Sequence, residues 1–387
     1  MRRRSGSRRE VDAMKYTADA VLRVARRHRN EKRGYLLVNP LQGKHMPVAP
    51  HEALDLMEAL GEKVKAAAPA ARIVIGFAET ATAIGAVVAK SLADSCLYVQ
   101  TTREELPSGV HTIEFLEEHS HAPEQRLAVD ALEAQLAETD TVVFVDDEIS
   151  TGRTLCNIVE QMKEKLPALR EKRLVAASVL NRLTASDRER LLAYGVECVA
   201  LVELAPEDYE ARAAAFQTCG AADCCVPSRR YPYRTLALGE YATPRTGVAI
   251  GDYTILWQGA GLVLAERIAW AKHESILVIG TEECMLPGLM VGRVLERKGW
   301  ENVFFHATTR SPIGISDEEG YPIEAGWQVK SFYGDERATY IYNLRPYHHA
   351  VIVSDTAHEA QGAVESIARA LRESGCTDIV YLMSRDE

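Results

Sequence analysis

Residues 142–154 read Val142-Val143-Phe144-Val145-Asp146-Asp147-Glu148-Ile149-Ser150-Thr151-Gly152-Arg153-Thr154. Four apolar residues predict a buried strand. Two adjacent carboxylates stand at its end, and a small, hydroxyl-rich turn then opens a helix. Neighbouring carboxylates suit two vicinal sugar hydroxyls, whose O–H groups they can accept. The turn presents backbone N–H groups at a helix N-terminus, where a phosphate gains hydrogen bonds and the positive end of the dipole. Gly152 lets the backbone approach closely, and Ser150, Thr151 and Thr154 add hydroxyl donors. One helix cap needs only one such residue. Asp-Asp followed by Ser-Thr-Gly-x-Thr exceeds that need.

Strands and helices alternate on both sides of this stretch. Strands are expected at Tyr35–Val38, Arg72–Gly76, Cys96–Gln100, Thr141–Val145, Leu174–Leu180 and Glu197–Val202. Helices are expected near Thr17–His28, His51–Ala67, Ala83–Leu92, Thr154–Lys165 and Ser186–Tyr194; in the second of these, Leu54, Met57, Leu60 and Val64 recur at helical spacing. This alternation predicts a mostly parallel sheet covered on both faces, with ligands beyond the carboxyl ends of its strands. The loops after Val38, Gly76 and Val145 are then expected to meet at one edge. The polar stretch Thr101–Glu124 is long for a connection without structure and reads as a lid. Residues 204–250, rich in Ala, Cys, Pro and Arg, break the alternation and read as a hood or linker; the α/β pattern resumes at about 251.

Composition bounds the rest. The chain has 387 residues, 47% hydrophobic and 26% charged, which suits a globular protein of two or three domains. It holds no apolar run long enough for a transmembrane helix, and no apolar segment follows the basic start as in a signal peptide. Eight scattered cysteines suggest reduced thiols in a cytoplasmic protein. Cys219, Cys224 and Cys225 cluster without a CxxC pair or a nearby His, short of a zinc spacing. Net charge is −10, which argues against broad nucleic-acid binding. The charge is uneven: residues 1–33 carry twelve Lys/Arg against four acids, leaving −18 on the remainder. Residues 1–30 are read as a basic extension and amphipathic helix.

The 142–154 segment resembles the 13-residue phosphoribosyl pyrophosphate (PRPP) signature of type I phosphoribosyltransferases, with Glu148 where that family has an apolar residue. Ile73-Val74-Ile75-Gly76-Phe77-Ala78-Glu79-Thr80 resembles the family's pyrophosphate loop, without its usual Gly-Gly pair. Thr101-Thr102-Arg103-Glu104 resembles the start of the mobile catalytic loop, and Leu41-Gln42-Gly43-Lys44-His45 the base-contacting loop of orotate phosphoribosyltransferases. The resemblance implies a PRPP site made of Asp146, Asp147, Glu148, Ser150, Thr151, Gly152, Arg153 and Thr154, with Ala78, Glu79 and Thr80 at the pyrophosphate. It assigns Asp146 and Asp147 to the ribose, and Lys44 or Arg103 to the departing pyrophosphate. Mg²⁺ would be carried mainly by PRPP, with Asp146 and Asp147 as candidate ligands. Gly43, Lys44, His45 and Arg310 are the candidates on the acceptor side.

The second half repeats this pattern in weakened form. RIVIGFAETATAIGAVVA (72–89) parallels ILVIGTEECMLPGLMVGRV (276–294), Tyr98–Arg103 parallels Phe305–Arg310, and VVFVDDEISTGRT (142–154) parallels AVIVSDTAHEAQG (350–362). Offsets of 204, 207 and 208 for these three pairs point to an internal duplication. The second copy has Ser354 for the first acid and Ala-His-Glu-Ala-Gln for the phosphate turn. It is therefore not expected to bind PRPP.

Thr309-Arg310-Ser311-Pro312 matches the signature of the TRSP domain, which follows a phosphoribosyltransferase domain in a bacterial two-domain family. That family is linked to tellurium-resistance gene clusters, where a nucleotide-like metabolite is the suggested product. The expected architecture is a type I phosphoribosyltransferase domain (31–205), a hood or linker (206–250) and a degenerate phosphoribosyltransferase-like TRSP domain (251–387). The expected activity is Mg²⁺-dependent phosphoribosyl transfer from PRPP to an unidentified small-molecule acceptor in the cytoplasm, with homo-oligomerisation left open. Two alternatives stand beside it. One is a non-catalytic PRPP-sensing regulator. The other is a ribose-phosphate pyrophosphokinase-like enzyme, against which the position of the loop in the N-terminal half counts.

Overall fold

A computed structural model of the chain describes residues 15–28, 33–115, 125–219, 222–224, 231–239, 242–334, 337–356 and 362–384. A helical turn, α1 (Ala18–Val21), precedes strands β1 (Arg23–Arg26) and β2 (Tyr35–Val38). Next come α2 (Pro50–Ala67), β3 (Ile73–Gly76), α3 (Thr82–Leu92), β4 (Leu97–Gln100), β5 (Thr112–Phe115) and β6 (Gln125–Ala128). They lead into α4 (Asp130–Leu136), β7 (Thr141–Ile149), α5 (Arg153–Lys165), β8 (Arg173–Asn181), α6 (Ala185–Ala193) and β9 (Val196–Glu203). After α7 (Tyr209–Ala214) come β10 (Asp223–Cys224), β11 (Arg234–Leu238), β12 (Val248–Ala249), α8 (Ile250–Arg267), β13 (Ser275–Gly280), α9 (Met285–Arg297) and β14 (Asn302–Ala307). The last elements are β15 (Gly326–Lys330), β16 (Ala338–Tyr342), β17 (His349–Ser354), α10 (Ala363–Glu373) and β18 (Asp378–Ser384).

The chain divides into two compact units: residues 1–20, 55–206 and 242–253 form the first, and residues 21–54, 207–241 and 254–387 the second. The first unit is built on a six-stranded sheet, β12-β4-β3-β7-β8-β9, parallel except at β12. β3 and the first half of β7 are buried on both faces, which explains the unbroken apolar runs IVIG and TVVFV. One core joins Ile75, Val99 and Phe144 of the sheet to Ile113, Leu127 and Leu132, and to Leu155, Ile158 and Val159 of α5.

The second unit holds a five-stranded parallel sheet, β11-β18-β17-β13-β14, a three-stranded sheet β10-β15-β16 and the antiparallel pair β1-β2. The order β14-β13-β17-β18 repeats the first unit's β4-β3-β7-β8. The likeness extends to individual hydrogen bonds. In the first unit Thr101 N–H donates to Gly76 O at 2.9 Å, Phe77 N–H to Val145 O at 2.9 Å, and Ala78 N–H to Thr101 Oγ1 at 2.8 Å. In the second, Thr308 N–H donates to Gly280 O at 3.0 Å, Thr281 N–H to Val353 O at 3.2 Å, and Glu282 N–H to Thr308 Oγ1 at 2.9 Å. α5 and α10 each begin after a left-handed glycine, Gly152 (φ 71°) and Gly362 (φ 77°). Two α/β folds of one design thus make up the chain.

Several expectations need correction. The helix expected over Thr17–His28 ends at Val21, and Arg23–Arg26 is a strand paired with β2. Burying Val24 and Ala25 in that pairing outweighs local helical preference. Residues 21–54, and with them the loop after Val38, belong to the second unit and not to the first. The strand expected to stop at Val145 continues to Ile149, because Asp146 and Glu148 stay in register with Ser178 and Leu180 of β8. The stretch 101–124 contains β5, which pairs with β6, while its residues 116–124 lie outside the described ones. The segment read as a hood is shared out: residues 207–241 join the second unit and 242–253 the first. The basic residues 1–14, Cys225 and the altered turn at 357–361 also lie outside the described residues.

Candidate active site

The site forms where β7 runs on past the end of β3 while still paired with β8. Asp146, Asp147 and Glu148 are half-buried, in contrast to the fully buried run before them. Asp147 N–H donates to Asp146 Oδ1 at 2.9 Å, and the Thr80 hydroxyl donates to Asp147 Oδ1 at 2.7 Å. Thr80 brings the loop after β3 against the acid pair, so the loops after Gly76 and Val145 do meet. Ala78 and Glu79 are buried, and the peptide bond between them is cis. The loop's backbone is tied down by Thr101, whose own hydroxyl donates to Gln125 Oε1 at 2.5 Å.

The turn that follows carries Ser150, Thr151 and Gly152 to the N-terminus of α5, with Thr154 in its first turn. Gly152 lies at φ 71°, a left-handed conformation that suits glycine. A Cβ there would also stand 2.8 Å from Leu191 Cδ1 of α6. α6 supports the turn a second way: Arg190 Nη2 donates to Thr151 O at 2.7 Å while pairing with Asp187. Asp187 is itself fixed in a capping box with Thr184. Arg153 is exposed.

Burial raises the Asp146 carboxyl well above the usual range, and the charges of Asp147 and Glu148 push the same way. Burial also raises Asp147, against the stabilising hydrogen bond from Thr80. Below about pH 4 both the folded and the unfolded chain hold these protons. As pH rises through the folded pKa values the unfolded chain has already released its protons, so stability falls. Thermal unfolding followed from pH 4 upward is expected to show this loss in the wild type. The loss is expected to shrink in Asp146→Asn/Asp147→Asn, and an equal loss in both proteins would contradict it.

Glu148, the departure from the family pattern, pairs with Arg182 Nε at 2.8 Å. Its charge is thus already matched inside the unit. Among the described residues no cluster of three or more His, Cys, Asp or Glu side chains is arranged to hold a metal. Asp146 and Asp147 offer two hard oxygen donors, which fits Mg²⁺ that keeps its other ligands from water and phosphate oxygens. Arg103 follows β4 and is half-buried.

The acceptor-side candidates lie in the second unit. Gly43 O accepts from Ala307 N–H at 2.8 Å, and a Cβ on Gly43 would lie 2.4 Å from Phe305 Cδ1. His45 is buried. Lys44 is fully buried, and its ammonium donates to Glu282 O and Thr308 O, each at 2.8 Å. The catalytic role expected for Lys44 is therefore withdrawn: its charge is spent on backbone carbonyls in the interior. Lys44→Met would strand those two carbonyls, at a cost of about 1–3 kcal/mol. Urea denaturation is expected to show that loss, and an unchanged midpoint would rule out this anchoring role. Arg310 Nε pairs with the buried Glu282 Oε2 at 3.1 Å.

The sequence reading missed Arg190, Leu191, Gln125 and Arg182, and gave Thr101 a place in the mobile loop but not its role of tying down the loop after β3. The Thr101-Thr102 pair, repeated as Thr308-Thr309, is the signal that could have pointed to that role.

Comparison with known proteins now defines the class. Residues 21–205 match the model of a phosphoribosyl transferase family, and residues 243–371 match the TRSP domain found C-terminal to it. The two matched regions stand in the order phosphoribosyl transferase then TRSP domain, and the chain is an enzyme of the phosphoribosyltransferase class. Solved structures similar to the chain include adenine phosphoribosyltransferase of Giardia lamblia in complex with 9-deazaadenine (16% identity, TM-score 0.36), covering 49% of this chain and 97% of that one. Orotate phosphoribosyltransferase of Aeropyrum pernix (18%, TM-score 0.31) covers 51% of this chain and 93% of its own. Adenine phosphoribosyltransferase of Trypanosoma brucei in complex with AMP, pyrophosphate and ribose-5-phosphate (14%, TM-score 0.36) covers 50% and 78%. No curated protein matched. Among the described residues no helix is long and apolar enough to cross a membrane.

Proposed function

We propose that the first unit transfers the phosphoribosyl group of PRPP to a base or nucleotide-like acceptor, releasing pyrophosphate, with Mg²⁺ required. The observation that carries this reading is the continuous run from the paired Asp146 and Asp147 to the Gly152 turn at the start of α5. Asp146 and Asp147 accept the two ribose hydroxyls. Their negative charge also favours the oxocarbenium-like cation that forms as the C1–O bond breaks. The backbone N–H groups from Ser150 to Thr154, with the hydroxyls of Ser150, Thr151 and Thr154, hold the 5′-phosphate away from the breaking bond and fix the sugar's orientation. The loop of Ala78, Glu79 and Thr80 faces the pyrophosphate, and Arg103 offsets its charge as it leaves. Mg²⁺, when bound with PRPP, supplies charge neutralisation of the pyrophosphate.

The TRSP domain supports a wider reading: a bacterial cytoplasmic enzyme of tellurium-resistance gene clusters that makes a nucleotide-like metabolite. The test is pyrophosphate release from Mg²⁺–PRPP on screening nucleobases and nucleotide-like acceptors. Acceptor-dependent release supports the reading. Binding of PRPP without release for any acceptor would point to the sensing alternative instead.

A further inference from the structure

We infer that the second unit contains an anion-binding cradle that the chain fills with its own Glu282. The shared hydrogen-bond frame makes Glu282 the counterpart of Ala78: each donates its N–H to the threonine hydroxyl after the neighbouring strand. The same register makes Arg310 the counterpart of Arg103. In the first unit this loop position carries only a methyl group. In the second it carries a carboxylate that is fully buried.

Four donors surround that carboxylate. Ser331 Oγ donates to Glu282 Oε1 at 2.6 Å and Phe332 N–H to the same oxygen at 3.1 Å. Arg310 Nε donates to Oε2 at 3.1 Å, and Arg337 Nη1 stands 4.0 Å from it. Two guanidiniums, a hydroxyl and a backbone N–H are a donor set that recognises a small carboxylate or phosphoryl group. Glu282 also sits at φ 49°, a left-handed conformation that side-chain-bearing residues rarely adopt. Such a residue persists only where its surroundings hold it. Here its N–H, its C=O and both carboxylate oxygens are all engaged.

The same segment closes over the one acid that the second unit retains from the duplicated loop. Asp355, the counterpart of Asp147, accepts the Tyr333 hydroxyl at 2.5 Å, where Asp147 accepts the smaller Thr80 hydroxyl. Tyr333 N–H is in turn held by Ser331 Oγ at 3.0 Å. The second unit has thus replaced a site for an external anion with an internal one. If Glu282 is removed, the ligand class that fits the vacated place is a monovalent carboxylate of the size of formate or acetate.

The test is thermal unfolding of the full chain as Glu282→Ala, titrated with sodium acetate and, at matched ionic strength, with sodium chloride. Loss of the buried carboxylate is expected to lower the midpoint of the affected transition by about 6–20 °C, from the usual cost of breaking a buried pair. Acetate is expected to restore most of that fall, and chloride little of it. The wild type should show no acetate-specific gain, and Arg310→Gln added to Glu282→Ala should abolish the rescue. Acetate acting no differently from chloride on Glu282→Ala would overturn the inference. If Glu282→Ala fails to fold, Glu282→Gln keeps the shape and removes the charge. Its midpoint is expected to fall by several degrees, and a midpoint equal to that of the wild type would overturn the inference equally. Neither result depends on whether the first unit binds PRPP.

Discussion

Asp146→Asn/Asp147→Asn is expected to lose turnover by roughly 10³-fold or more while the fold becomes more stable at neutral pH. The loss follows from charge: removing one preorganised group aimed at a developing charge costs about 10²–10³ in rate, and here two are removed. The gain follows from burial. Both carboxyls are pushed up by desolvation, so their ionised forms work against folding above pH 4. Each asparagine keeps an oxygen to accept from Asp147 N–H or from the Thr80 hydroxyl. The opposite movement of rate and stability is what separates a functional acid pair from a structural one. Acceptor-dependent pyrophosphate release and thermal unfolding on the same preparations check both halves. A mutant that is inactive and also less stable would mean that the acids hold the fold together.

Gly152→Ala is expected to weaken Mg²⁺–PRPP binding by about 10- to 100-fold. The backbone at φ 71° costs an alanine about 1–2 kcal/mol, and its Cβ would stand 2.8 Å from Leu191. The strain is relieved by moving the turn, and the turn carries the backbone N–H groups that the proposed function assigns to the 5′-phosphate. At 1.4 kcal/mol per tenfold, displacement of one or two such hydrogen bonds gives that range. Affinity for pyrophosphate alone, which the proposed function assigns to the loop after β3, should change far less. Calorimetric titration with ribose 5-phosphate and with pyrophosphate separates the two. Equal loss for both ligands would argue against a turn dedicated to the phosphate.

The chemistry at the end of β7 was readable because it is local. An apolar run, two acids and a hydroxyl-rich glycine turn lie within 13 consecutive residues. The duplication was readable for the same reason, since each copy keeps a hydrophobic strand followed by the same polar pair. Its details were not. The ungapped comparison sets Gly362 against Thr154, whereas the structure gives Gly362 the role of Gly152. The second loop is two residues longer.

What the sequence concealed depends on packing between distant segments. Arg190 meets Thr151 across 39 positions. Nothing near Lys44 in the chain announces that its acceptors will be Glu282 O and Thr308 O, more than 230 positions away. The short strand before it, Tyr35–Val38, reads as the start of the first sheet because strand pattern specifies a buried face and not which sheet is joined. A basic residue in a polar loop resembles a catalytic lysine equally well whether it ends in a cleft or inside a core.

The most direct test of the central claim is calorimetric titration of Mg²⁺–PRPP into the wild type and into Asp146→Asn/Asp147→Asn. One site is expected on the wild type and none measurable on the double mutant. Binding to the wild type is also expected to release protons, because the ribose hydroxyls favour the ionised acids. No binding to folded wild type, or equal binding to both proteins, would contradict it.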